Sequence, residues 1–278
     1  MSHQSSTYRW SALLLIPVAA CSDLPARTRT TDAPVVSVAA RDFSFRAPDT
    51  IMAGLTRILL TNEGRERHHM QLARLERGHT IRELGDSLTA SNRLPSWVTF
   101  MGGPNEPVPG GPSEVLVRLA PGSYAMLCFV SSPDGVPHLA KGMLRGLAVV
   151  PGDAPILPEP QADVRLTLED YDFAFTPWLT RGRKTIRVEN IGPQPHEAIF
   201  VRLAPGKTAD DVLAWLKRQD TPPPGKTFGG TMALQRGQVN FIMAEFTPGE
   251  YALLCFVPDS GDGKPHVAHG MVRQFTVP

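Results

Sequence analysis

Three cysteines are all that 278 residues contain, and one of them, Cys21, lies close to the N-terminus. A disulfide-stapled scaffold, which needs several pairs, is excluded. Charge of one sign is also missing. Lys and Arg number 28 against 27 Asp and Glu, so no surplus steers the chain onto nucleic acid or an acidic membrane face. No apolar run is long enough for a membrane span, which takes ~20 residues. The chain also lacks a phosphate-cradling glycine-rich loop of the usual kinds and a Gly-x-Ser-x-Gly elbow, which removes the commonest nucleotide-binding and serine-hydrolase readings.

What is present begins with a short leader. Arg9 closes a polar start, Trp10 to Ala20 are mostly apolar, and the run ends on Val18-Ala19-Ala20-Cys21. That pattern resembles a bacterial lipobox and implies a lipoprotein signal peptide over 1–21, lipidation of Cys21 and an exported envelope protein. A plain secretory signal with an incidental cysteine is the alternative. Residues 22–34 then read as a tether, its polar, patternless part running from Thr28 to Pro34.

Beyond the tether the chain repeats itself. Asp42-Phe43-Ser44-Phe45 recurs as Asp172-Phe173-Ala174-Phe175, and Asn62 to His68 as Asn190 to His196. The longest match sets Pro121-Gly122-Ser123-Tyr124-Ala125-Met126-Leu127-Cys128-Phe129-Val130 against Pro248 to Val257. Two units follow, 35–150 and 163–278, joined by a proline-rich linker over 151–162. Segments such as Thr185 to Glu189 and Glu114 to Leu119 alternate with the period of two expected for half-buried strands. Plentiful proline (27) and glycine (24) favour short strands joined by turns. One helix is expected per unit, over Thr80 to Leu88 and over Thr208 to Arg218, the latter with Thr208 as N-cap. Asp42-Phe43 and Asp172-Phe173 read as strand starts with a core Phe. Gly102-Gly103-Pro104 and Gly229-Gly230 read as matched tight turns, and Asp134-Gly135 and Asp262-Gly263 as turns within the loops that follow the cysteines.

Each unit then carries an early His, a Cys after a Pro-Gly turn, and Pro-His-x-x-x-Gly-Met. Two imidazoles, a thiolate and a weak thioether form a mixed donor set that tolerates both copper oxidation states. Two unpaired cysteines in an exported chain also need a reason, because such compartments oxidise exposed thiols. A Cys128–Cys255 disulfide and a pair of inert core cysteines are the alternatives to metal.

Over nearly all of both units the chain resembles the cupredoxin family, the match being carried by residues 128–143 and 255–271. The loop between Cys and the second His is similar to that of the electron-transfer domain of copper nitrite reductases. The resemblance implies an all-β fold of two tandem Greek-key β-sandwiches. It implies His68, Cys128, His138 and Met143 as ligands of one type 1 copper, and His196, Cys255, His266 and Met271 as ligands of another. Family members usually follow the first His with Asn, where this chain has His69 and Glu197, and Phe129 and Phe256 after each Cys are also departures. His69 and His269 have no counterpart in the other unit and read as solvated or supporting groups.

The expected function is a lipid-anchored electron carrier or copper-binding protein with a possible redox protein partner. Two rivals stand beside it. One is a two-domain copper oxidoreductase, which would need a His before each Cys, where Leu127 and Leu254 stand, and further histidines beyond His69, His79 and His269. The other is a metal-free scaffold module of the envelope.

Overall fold

The computed structural model describes Met1 and residues 33–91, 94–107, 111–153, 156–218 and 221–278. The leader after Met1, Cys21 and the tether as far as residue 32 lie outside the described residues. Among the described residues no helix is long and apolar enough to cross a membrane.

The chain is mostly strand. In the first half these are β1 (Val35–Arg41), β2 (Ser44–Arg46), β3 (Thr50–Met52), β4 (Gly54–Asn62), β5 (Gln71–Leu75), β6 (Val98–Phe100), β7 (Ser113–Leu119), β8 (Gly122–Leu127) and β9 (Leu144–Val150). The second half has β10 (Val164–Glu169), β11 (Asp172–Thr176), β12 (Gly182–Asn190), β13 (His196–Leu203), β14 (Gly225–Leu234), β15 (Val239–Phe246), β16 (Gly249–Leu254) and β17 (Val272–Val277). Alternation decides which face is buried. Val164, Leu166 and Leu168 of β10 point inward while Arg165 and Glu169 face water.

Each half is a two-layer, cupredoxin-like sandwich. In the first, β2-β1-β4-β7 covers β3-β9-β8-β5-β6, and in the second, β11-β10-β12-β15 covers β14-β13-β16-β17. The layers enclose one apolar core per half, around Ile58, Leu60, Leu72 and Met126 and around Leu166, Phe173, Phe200 and Leu253. A buried Tyr pins the turn before each cysteine strand, Tyr124 donating to Ala120 O and Tyr251 to Thr247 O, both at 2.8 Å.

Two helices cross the sandwiches. Helix α1 runs Ile81–Ser91, three residues beyond the expected end, with Thr80 and Glu83 exchanging capping hydrogen bonds. Helix α2 runs Ala209–Leu216 and opens on the expected N-cap, Thr208, which pairs reciprocally with Asp211.

The halves join edge to edge. β15 pairs with β7 (Asn240↔Val117, Phe241↔Leu116), which makes one eight-stranded sheet, and bridges Met101↔Leu234 and Pro104↔Thr231 link the opposite layers. Buried side chains fix the seam: Gln71 donates to Ala233 O at 3.0 Å and Asn240 to Met101 O at 3.0 Å.

Three expectations need correction. The glycine pairs are not tight turns: Gly229-Gly230 lies inside β14 and Gly102-Gly103 between the two bridges. At Gly103 and Gly230 (φ 127° and 140°) a Cβ would fall 2.2 Å from Met70 O and 2.1 Å from Ala198 O, so strand contact demands glycine there. The Asp-Phe-x-Phe match is out of register. Phe45, not Phe43, sits where Phe173 does, Ala40↔Phe45 answering Leu168↔Phe173. Phe43 is therefore no core residue; it sits half-buried in a turn at φ 67°.

Candidate metal centre

Strand pairing alone assembles the donors. Leu127 of β8 faces Leu144 of β9, so Cys128 just beyond one strand lies opposite Met143 just before the other. The same holds for Cys255 and Met271, because Leu254 faces Val272. Gln71 faces Leu127, which brings the residues before β5, His68 among them, alongside Cys128. The remaining His hangs on the loop between Cys and Met. His138 N bonds Val130 O at 2.8 Å and Met143 N bonds His138 O at 2.9 Å, with matching bonds at His266 (3.0 Å to Val257 O) and Met271 (3.0 Å to His266 O). Gly135 and Gly263, at φ 79° and 75°, make the turns expected in these loops.

Both sets converge. His68 Nδ1 lies 3.1 Å from His138 Nδ1, and Cys128 Sγ 3.5 Å from the latter. In the second half His196 Nδ1 lies 3.0 Å from His266 Nδ1, and Cys255 Sγ 3.4 Å and 4.0 Å from the two nitrogens. All six residues, with Met143 and Met271, are buried, and each Met shares its core with the neighbouring Cys. Both cysteines are free, each in the core of its own half, so the disulfide alternative is not realised.

The outer edges of the rings explain which nitrogens face inward. His68 Nε2 meets Asp42 Oδ1 at 3.1 Å, His138 Nε2 meets Glu66 Oε2 at 2.9 Å, and His196 Nε2 meets Asp170 Oδ1 at 2.5 Å. A carboxylate accepts, so each of these nitrogens carries the proton and each Nδ1 presents a lone pair. Burial lowers the pKa of His68 and of His196 and takes His266 down to about 4, which keeps those rings neutral. Burial pushes the Cys128 thiol up to about 11 and raises Cys255 as well. In the first half two lone pairs thus point at each other across 3.1 Å beside a sulfur, with no donor between them but the thiol proton. A cation that displaces that proton satisfies all three, and the donor set suits copper.

Asp42, Asp170 and Glu66 were missed by sequence reasoning, although both Asp residues stand 26 positions before the first His of their half. That spacing was the available signal. His69 does not stand free in solvent: half-buried, it accepts from Phe129 N at 2.9 Å, and Glu197 accepts from Phe256 N at 2.7 Å. Both sit beside a first His and stiffen the chain after a Cys. Their environments favour the uncharged form, burial taking His69 down to about 3 and Glu197 up to about 7. His269 lies outside the donor set, against Asp262 (3.1 Å) and the Tyr171 ring. Leu127 and Leu254 are buried at the positions before each Cys.

No protein-family model matches the chain, and no curated protein matches it. Among solved structures, auracyanin from Roseiflexus castenholzii is 17% identical and matches 43% of this chain and 98% of its own, with a TM-score of 0.31. A blue copper oxidase from Nitrosomonas europaea is 16% identical over 88% of this chain and 85% of its own (TM-score 0.25). The copper nitrite reductase of the same organism is 15% identical over 88% and 93% (TM-score 0.23).

Proposed function

We propose that this chain is an exported, lipid-anchored copper protein that passes single electrons through a type 1 site in each half. The observation that carries the reading is the inward pair of Nδ1 atoms beside a buried Cys in each half, with a Met facing that Cys across the strand ends. His68, Cys128, His138 and Met143 would hold one copper, and His196, Cys255, His266 and Met271 the other. The bound metal would supply a one-electron couple. The chain supplies a dry, crowded pocket whose ligands cannot rearrange far, so little reorganisation accompanies a change of charge. Leu127 and Leu254 favour a carrier over an enzyme, because they stand immediately before each Cys, where an imidazole would be needed to link the site to a second metal. The leader ending at Cys21 supports export and anchoring.

One preparation tests both parts. The full chain expressed in a bacterium should sediment with envelope membranes, and Cys21→Ala should release it. Loaded with copper(II), it should bind two ions per chain and show strong thiolate-to-copper absorption in the visible range. Cys128→Ser and Cys255→Ser should each remove one ion, and together all colour. A colourless protein without copper overturns the electron-transfer reading, and unaltered fractionation of Cys21→Ala overturns the anchor.

A further inference from the structure

Besides His69 and Glu197, the halves differ at the outer edge of the second His. In the first, Glu66 accepts directly from His138 Nε2 at 2.9 Å, and the ring lying edge-on to His138 is Phe43, which has no hydroxyl. In the second, Gln194 stands where Glu66 does and Tyr171 where Phe43 does. His266 Nε2 is buried without a hydrogen-bond partner, and the nearest carboxylate, Asp259, is 3.9 Å away. Asp259 is engaged elsewhere. Its Oδ2 accepts from Tyr171 Oη at 2.6 Å and Gln194 Nε2 at 2.8 Å, and its Oδ1 from Gly261 N at 2.7 Å and Asp262 N at 3.1 Å.

We propose that the two sites are held at different reduction potentials by this capping: Glu66 caps His138, whereas Tyr171 and Gln194 withhold Asp259 from His266. The inference rests on the copper reading above. A carboxylate on the outer nitrogen of a ligand His makes the imidazole a stronger donor and sets a negative charge near the metal. Both effects favour copper(II) over copper(I), so a capped site has the lower potential. Glu66 is a positioning residue for His138; Tyr171 is its counterpart in the opposite sense.

Two nearly isosteric substitutions test this without disturbing any donor. Glu66→Gln removes the charge from His138, and Tyr171→Phe removes one of the donors that hold Asp259, freeing it to turn onto His266. Potentials are read by spectroelectrochemistry in a Cys255→Ser background for the first site and a Cys128→Ser background for the second. If capping changes the copper(II) affinity about 10- to 100-fold, the range over which supporting partners of metal-bound His act on metal affinity, and leaves copper(I) affinity unchanged, Glu66→Gln raises the first potential by roughly 60–120 mV, at 59 mV per tenfold for one electron. Tyr171→Phe lowers the second in the opposite direction.

A second readout needs no redox chemistry. In zinc-loaded protein the His138 Nε2 proton should resonate far downfield and exchange slowly, and move upfield and exchange faster in Glu66→Gln, where a neutral amide oxygen is the weaker acceptor. The His266 proton should move downfield and exchange more slowly in Tyr171→Phe. Potentials unmoved by both variants, or moved with the opposite signs, overturn the inference while leaving the copper reading intact. Absence of copper from the wild-type chain overturns both.

Discussion

The two halves place the same donors on the same strand ends and back them with different groups. Asp42 and Asp170 hold the first His alike, but position 69 is His where position 197 is Glu, and the second His is capped by Glu66 in one half and left open in the other. Side chains that must converge on one point are set by strand register, which both halves share. The groups behind them need only satisfy a ring edge or a backbone N–H, and more than one residue type does so.

The strongest test of the shared part is the pair of glycines beneath the first His. Gly103→Ala and Gly230→Ala should each destabilise the chain by about 4 kcal/mol in chemical denaturation, because each Cβ meets a carbonyl oxygen of the neighbouring strand and each φ is positive. Equal losses confirm equal construction. A mild effect at Gly230 alone would show that the close approach matters at the seam, where Gly103 also accepts from Met232 N at 2.9 Å, and not at the sites.

These glycines also show where sequence reasoning reaches its limit. The converging His and Cys were legible because each set recurs at nearly constant spacing, and one helix cap because Thr208 opens a stretch with an apolar side; Thr80, which caps the other helix with Glu83, was not singled out. The strands were legible from alternation and from the turn residues, and the sandwich from the family resemblance. What stayed hidden depends on contacts between distant segments. Asp42 was matched to Asp172 on local similarity, whereas Asp170 makes the equivalent bond; the pairing of β10 with β11 shows the shift, which the equal spacing to His68 and His196 signals more faintly. Nothing in the sequence marks Gln71 and Asn240 as seam residues; their bonds to Ala233 O and Met101 O arise only where the two halves meet.

The difference between His69 and Glu197 gives opposite pH dependences in the metal-free protein. Glu197 has its pKa raised from 4.5 to about 7, so the native state holds more protons than the unfolded chain between those values. Stability is therefore fully present below about pH 4.5 and falls as pH rises towards 7, by roughly 3 kcal/mol. His69, taken from 6.5 down to about 3, binds protons more readily when unfolded, so its share is present above pH 6.5 and lost as pH falls. Glu197→Gln should flatten the neutral limb and His69→Gln the acid limb, followed as urea midpoints from pH 4 to pH 8. The same response from both variants would mean that these positions do not carry the difference.

The smallest contrast lies at the paired tyrosines. Tyr124 makes one hydrogen bond, to Ala120 O, whereas Tyr251 donates to Thr247 O and also accepts from Thr247 N at 3.2 Å. Both rings are buried, so removing the hydroxyl leaves a carbonyl short of a donor in either half and a backbone N–H short of an acceptor only in the second. At about 1 kcal/mol per bond, Tyr124→Phe should cost about 1 kcal/mol and Tyr251→Phe about 2 kcal/mol in thermal or urea unfolding. Because the turn lies at the start of each cysteine strand and the donors at its far end, the visible spectrum of copper-loaded protein should be unchanged in both. A spectral shift in Tyr251→Phe alone would show that the second site feels strain along the whole of β16, and would extend the inequality of the halves from the groups behind the donors to the strand that carries one of them.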